Sequence, residues 1–335
     1  MSDPSAKIVL VTGGAGYIGL HTVLALREAG YRPVVVDDLS RGRRQLLPSH
    51  VPLHVIDICD TQNLAELCGA IQPHAVMHLA ARLSVEESTK LPLDYYKTNV
   101  DGTISVCRAM AMARVPHLVF SSTCSVYGEA GGEVNEDTPV NAYSPYGASK
   151  VMAEQIIRDG AKAHGFTYAT LRYFNVTGAD SQLRAGPYTQ DPFQLVDRIA
   201  QAVYGDVQGL TVNGTDYPTE DGTAVRDYIH VSDIAQAHLA ALRYLEKGGS
   251  NEIFNCGYGQ GLSVQHMVDS ARKISQVDFP VTYGARRAGD IAEIQANADK
   301  IKTKTGWQPQ HDQVDTMIGS VLDWYAAQTG RSKTA

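Results

Sequence analysis

The chain reads as a doubly wound α/β protein: a parallel sheet of the Rossmann type, covered by helices on both faces, with a smaller mixed region closing over it. Three observations predict this. Short apolar runs alternate with helix-like stretches through the first half, a glycine-rich turn sits where the first strand meets the first helix, and beyond about Asn175 the alternation gives way to segments rich in Gly, Pro, Asp and Thr. Strands that are apolar along their whole length are buried on both faces, as parallel sheets require.

Taken in order, Lys7 to Thr12 is an apolar, β-branched run that stops at Gly13-Gly14, and Tyr17 to Ala29 has helical spacing ended by Gly30. Strands are predicted at Pro33 to Val36, Val51 to Ile56 and Ala75 to Leu79, with a helix over Thr61 to Ile71. A long helix follows over Leu93 to Ala113, then a strand over His117 to Ser121, a helix over Tyr146 to His164 and a strand over Thr167 to Arg172. Loop-forming composition marks Gly178 to Pro192 and Asn213 to Gly222, and Gly330 to Ala335 reads as a frayed tail. The expected division is 1–178 for the nucleotide-binding domain and 179–335 for a substrate-binding region, parts of which return to the sheet.

With 335 residues, 44% of them hydrophobic, the chain can bury a substantial core. A net charge of −7, with only the short Arg41, Arg43, Arg44 cluster of bases, argues against nucleic acid or an anionic membrane as partner. Five cysteines, an odd number without metal-ligand spacing, suggest neither a disulfide framework nor a metal site. No apolar stretch reaches the roughly 18 residues a bilayer needs, and the first residues lack signal-peptide features. A cytoplasmic location is expected.

Gly13, Gly16 and Gly19 stand three residues apart at the strand-to-helix turn. Such a turn lets backbone approach a pyrophosphate, and the helix N-terminus offers free N–H groups to it. Asp37 ends the second strand 18 residues after Gly19, close to the position of a ribose-binding carboxylate. It would repel a 2′-phosphate, so NAD is favoured over NADP, although Arg41, Arg43 and Arg44 lie nearby. A P-loop is excluded because Leu20 and His21 follow Gly19 in place of Lys and Ser/Thr.

Tyr146 and Lys150 lie four residues apart, a spacing that stacks phenol and ammonium on one helix face. A phenol titrates near pH ~10 by itself, so a tyrosine base needs a cation beside it. By itself this spacing is common on surface helices. Likewise, Arg226-Asp227 by spacing alone reads as a surface ion pair, His78 and His230 as structural histidines, and Met110 and Met112 as packing residues.

The turn Gly13-x-x-Gly16-x-x-Gly19, the run Ser121-Ser-Thr123-Cys-Ser-Val-Tyr-Gly128 and Tyr146-x-x-x-Lys150 coincide in order and together resemble the extended short-chain dehydrogenase/reductases. Asn213 to Val231, Leu171 to Asn175 and Arg286 to Asp290 closely resemble the UDP-glucose 4-epimerase family. That resemblance implies an NAD-dependent isomerase that inverts C4 of a nucleotide-sugar, a UDP-hexose, and works as a homodimer. It implies catalytic roles for Thr123, Tyr146 and Lys150. NAD contacts are implied at Gly13, Gly16, Tyr17, Ile18, Gly19, Asp37, Asp38, Leu39, Ser40, Arg41, Gly42, Asp57, Ile58, Leu79, Ala80, Ala81, Arg82, Leu83, Asn99, Tyr146, Lys150 and Phe174. Sugar-nucleotide contacts are implied at Thr123, Tyr146, Tyr173, Asn175, Gln194, Leu195, Thr211, Val212, Asn213, Arg226, Arg287, Asp290 and Ile294, and no metal is implied.

The chain departs from the family pattern at three of these positions. Leu83 stands where some members carry lysine, Asn213 where an aromatic residue often faces the base, and Gln194 where an asparagine is usual. Ile294, non-aromatic, would leave room for an N-acetylhexosamine as an alternative substrate. Related nucleotide-sugar 4,6-dehydratases place an Asp-Glu pair after the Ser/Thr; here Cys124-Ser125 follow Thr123, which ranks dehydration below epimerisation. A non-catalytic NAD-binding regulator would not be expected to retain Thr123, Tyr146 and Lys150 together.

Overall fold

Alternate side chains of the central strands enter opposite apolar layers. Val9, Val11, Val35, Met77, Val119, Leu171 and Phe254 join one buried cluster, while Leu10, Val34, Val36, Val76, Leu118 and Phe120 join another. This period of two, with both faces apolar, makes the strands a covered parallel sheet. The computed structural model describes residues 6–187, 194–287 and 290–331. Most of the tail expected to fray, and part of the irregular stretch to Pro192, lie outside the described residues.

Seven strands form the main sheet in the spatial order Glu252–Cys256, Thr167–Tyr173, His117–Thr123, Ala75–His78, Ile8–Thr12, Arg32–Val36 and Leu53–His54, all neighbours parallel. The chain moves outward from Ile8–Thr12 through the two strands on one side, then crosses to Ala75–His78 on the other. That reversal is a topological switch point, which leaves a crevice at the strands' carboxyl ends. The seventh strand comes from the second half of the chain.

A second sheet has the order Gly261–Ser263, Val225–His230, Glu293–Ala296 and Gly132–Val134, with Asn175–Thr177 also pairing to Val225–His230. Leu210–Asn213 pairs in parallel with Val281–Gly284. These pieces stand over the carboxyl edge of the main sheet and carry Asn175, Asn213 and Arg226.

Two predicted elements differ in detail. The strand expected over Val51 to Ile56 shrinks to Leu53–His54, an edge strand in register with Val35 and Val36 and bonded through the amides of Val35 and Asp37. The long helix expected over Leu93 to Ala113 is helix Pro92–Tyr96, a π-helical turn Lys97–Asp101 and helix Gly102–Ala113. Among the described residues no helix is long and apolar enough to cross a membrane.

Candidate active site

The glycine turn is shaped by approaches that exclude side chains. Gly13 has φ +70°, and a Cβ there would stand 2.6 Å from the Ala80 amide nitrogen; a Cβ on Gly19 would collide with the carbonyl oxygen of Gly13. The next helix, Tyr17–Glu28, starts after Gly16 with no side-chain cap and no acidic residue in its first turn. Its first amides therefore face the crevice as an anion site. Asp37 accepts from the Ala15 amide at 3.0 Å and the Leu39 amide at 2.9 Å, while burial pushes its carboxyl up from the usual range. A tight glycine cradle, a bare helix N-terminus and a fixed carboxylate beyond it fit the pyrophosphate and ribose of a dinucleotide. Arg41, the base nearest that carboxylate in sequence, is taken up by Glu87 at 3.0 and 3.2 Å.

The catalytic candidates come from one strand end and one helix start. Ser144 caps helix Pro145–His164 by accepting from the Gly147 amide at 3.1 Å, and Pro145 fills its first position, so Tyr146 lies in the first turn and Lys150 one turn on. Strand His117–Thr123 ends at Thr123, whose hydroxyl oxygen accepts from the Ser125 amide at 3.1 Å. Lys150, 3% exposed, donates from Nζ to the Ser121 carbonyl at 2.8 Å and lies 4.9 Å from the Phe120 ring centroid. Burial pulls its ammonium down to about 7, opposed by Glu154. Burial pushes the Tyr146 phenol up to about 12, opposed by its hydrogen bond with Thr123 and reinforced by Cys124. At Tyr146 burial dominates, and the Lys150 ammonium turns to a carbonyl, so the four-residue spacing alone does not ease ionisation of the phenol.

At the far end stand two guanidinium groups. Arg226 pairs with Asp290 at 3.4 Å and donates to its neighbour's carbonyl, that of Val225, at 2.9 Å. Arg287 donates from Nε and Nη2 to the Asn213 side chain at 3.2 and 3.1 Å when that amide is turned oxygen-first. Arg226 does not pair with Asp227 as a surface couple. Asp227 is fully buried and accepts from the amides of Tyr258, Gly259 and Ala296 at 3.0, 2.9 and 3.0 Å. Gln194 Oε1 and Thr177 Oγ1 are buried without a hydrogen-bond partner beside the same crevice.

These groups share one cavity of about 940 Å³. Every site position predicted from sequence lines it except Leu39, Asn99, Val212 and Ile294. Val212 points into the core because Thr211 and Asn213 on either side face the cavity, the period of a strand. Leu39 adopts φ +61° in the turn and contributes its amide to Asp37. Asn99, in the π turn, accepts from the Arg82 amide at 2.9 Å and donates to the Arg82 carbonyl at 3.1 Å and to Ser149 Oγ at 2.9 Å. It supports the wall from behind. Ile294 is 4% exposed in an apolar cluster with Val126, Tyr127 and Phe174, so it packs behind the cavity wall and does not face the cavity.

Sequence reading missed Thr177 and Tyr228, which line the cavity two residues beyond Asn175 and Arg226 on their strands; the period of two could have found them. Lys97 and Thr98 were also missed. They come from the π turn, which leaves no periodic signal. Cys59 and Cys124 line the cavity too, and burial pushes their thiols up to about 11 and about 12, which keeps them protonated and unreactive.

Residues 9–257 match the sequence profile of the NAD dependent epimerase/dehydratase family. A UDP-glucose 4-epimerase of Azospirillum brasilense is 45% identical over 327 residues, covering 97% of this chain and 94% of that protein. Among solved structures, a UDP-glucose-4-epimerase from Stenotrophomonas maltophila with bound NAD and formylated UDP-arabinopyranose superposes with a TM-score of 0.93 at 37% identity, covering 97% of this chain and 99% of that one. The UDP-Glc/GlcNAc 4-epimerase of Campylobacter jejuni superposes with a TM-score of 0.84 at 37% identity, covering 96% and 100%.

Proposed function

We propose that this chain, which belongs to the NAD dependent epimerase/dehydratase family, is an isomerase that inverts C4 of a UDP-hexose, interconverting UDP-glucose and UDP-galactose through a transient 4-keto sugar. One observation carries this reading: Thr123, Tyr146 and Lys150 open onto the same cavity as the glycine turn and Asp37, while Arg226 and Arg287 stand at its other end. Residues 1–178 supply the dinucleotide side and 179–335 the sugar-nucleotide side.

The glycine turn and Asp37 would hold NAD, which would supply the chemistry of hydride acceptance from C4 and its return. Tyr146 takes the proton from the sugar 4-hydroxyl and returns it to the 4-keto oxygen after the hexose has turned its opposite face to the hydride donor, with Thr123 hydrogen-bonding the phenol and the hydroxyl. A neutral phenol pushed up to about 12 is a poor base; positive charge from Lys150 and the oxidised nicotinamide in one buried cavity supplies the missing stabilisation of phenolate. Arg226 and Arg287 grip the diphosphate by charge-assisted hydrogen bonds, which lets the hexose turn while the nucleotide stays fixed.

The enzyme works as a homodimer in the cytoplasm, where its five unbonded thiols remain reduced. Incubating pure protein with UDP-galactose or UDP-glucose and separating the products tests the reading. Interconversion supports it and its loss in Tyr146→Phe locates the base. Loss of water would instead make the protein a dehydratase, and no change with either sugar would overturn the assignment.

A further inference from the structure

Tyr146, Lys150 and Glu154 follow one another at intervals of four residues on helix Pro145–His164, so the three lie on one stripe of its surface. The first two face the cavity. Glu154 lies behind them, against the sheet, in a buried ion pair with Arg172 of strand Thr167–Tyr173; both side chains are 4% exposed. The pair is bidentate: Arg172 Nε donates to Glu154 Oε1 at 3.0 Å and Nη2 to Oε2 at 2.6 Å. Ser122 Oγ, one residue before Thr123, donates to the same Oε1 at 2.6 Å. Arg172 also donates from Nη1 to the Tyr127 hydroxyl at 3.2 Å, and that hydroxyl donates to Asn255 Oδ1 at 2.6 Å on the seventh strand.

Burying two charges has a desolvation cost that a pair of apolar side chains would avoid, so its position is informative. One carboxylate fastens three things that the reaction needs aligned: the stripe carrying Tyr146 and Lys150, the strand end carrying Thr123, and the strand beneath both. We propose that Glu154 acts on the reaction through Lys150, as a positioning residue whose carboxylate, anchored by Arg172, seats the helix and supplies the negative charge that the buried ammonium faces.

The groups around Lys150 support this. Its own helix presents Tyr146 and Glu154, strand His117–Thr123 presents the Ser121 carbonyl and the Phe120 ring, and strand Ala75–His78 presents His78, which burial and Lys150 together hold down at about 3 and therefore neutral. Glu154 is the one charge among the described residues that works against the effect of burial on Lys150. The inference rests on Lys150 serving at the reaction site, and its test is independent of turnover.

The side-chain nitrogen of Lys150 is followed by NMR against pH in the NAD-loaded protein, its signal assigned by its loss in Lys150→Met. In Glu154→Gln the titration midpoint falls by about one unit, because Arg172 remains as an unpaired cation. In Arg172→Gln it rises, because Glu154 then has Lys150 as its nearest cation. Glu154→Asp, which keeps the carboxylate, stays near the wild-type midpoint. The alkaline limb of kcat moves in the same directions, with KM unchanged. Shifts of opposite sign support the proposal; equal midpoints, or a shift in Glu154→Asp as large as in Glu154→Gln, overturn it. A protein with these shifts but no epimerisation would sink the catalytic reading alone.

Discussion

At Tyr146 two physical influences oppose one another, and their balance sets when the residue can act as a base. Burial raises the phenol to about 12, while the hydrogen bond with Thr123 favours the phenolate. Removing that hydroxyl in Thr123→Ala raises Tyr146 further. Because the deprotonated phenol is the working form, the acid limb of kcat then moves to higher pH, and turnover at neutral pH drops by roughly 10²-fold, the lower range for a positioned acid–base group. A pH series of kcat for wild type and Thr123→Ala checks this. A drop in rate with an unmoved acid limb would show that Thr123 acts on the sugar alone. The glycines and the Tyr/Lys pair were legible in the sequence because their spacing is their geometry. The ionisation of Tyr146 was not legible, because burial and the turn of Lys150 towards the Ser121 carbonyl are tertiary facts.

At the scale of elements, the π turn Lys97–Asp101 is the feature that sequence pattern could not show. The apolar period of Leu93 to Ala113 survives one added residue well enough to read as one helix, yet that residue alters what faces inward. Asn99 then meets both backbone polar groups of Arg82 and the Ser149 hydroxyl, bracing the cavity wall against the helix of Tyr146. Asn99→Leu keeps the volume but leaves the Arg82 amide and carbonyl unpaired. Each orphaned group costs about 1–3 kcal/mol, so the urea midpoint falls clearly, and NAD is retained less well on gel filtration.

A second element-level set of bonds ties the C-terminal segment to helix Val231–Glu246. The fully buried Asp233 accepts from the amides of Gln310 and His311, from the Tyr258 hydroxyl at 2.6 Å and from His311 Nδ1 at 2.9 Å. These bonds hold Asp233 below the usual carboxylate range and raise His311 above its ordinary value. A raised histidine stabilises the fold below its unfolded pKa, and the benefit is lost as pH rises through the folded value; for the lowered aspartate the benefit is lost as pH falls through its folded value. The pair therefore contributes most in weak acid, between roughly pH 4 and 6.5. Wild type should exceed His311→Gln in thermal midpoint by more at about pH 6 than at about pH 9. A gap independent of pH would remove the charge from this account and leave only packing.

The whole molecule shows where local pattern ends and assembly begins. Six of the seven sheet strands follow the alternation read from the first half of the chain, but the seventh, Glu252–Cys256, reaches the sheet from a part whose rhythm is irregular, placed there by its register against Thr167–Tyr173. Met110 packs in the core as expected, yet Met112 on the same helix is 70% exposed, and Leu93 is 78% exposed. Met152 is also open on the helix that packs beside theirs. These large apolar side chains lie on the helices Pro92–Tyr96, Gly102–Ala113 and Pro145–His164, and the proposed homodimer is expected to bury some of them, since a second copy presenting the same helices would cover them isologously. A glutamate in such an interface would be buried without a partner. Leu93→Glu should therefore shift the protein from dimer to monomer in analytical ultracentrifugation at micromolar concentration. Gly13, Gly19 and Asp37, proposed to hold the dinucleotide, all stand on one chain beside one another, so the separated monomer should still bind NAD. If Leu93→Glu sediments as the wild type does while Met152→Glu does too, the two copies meet on another face.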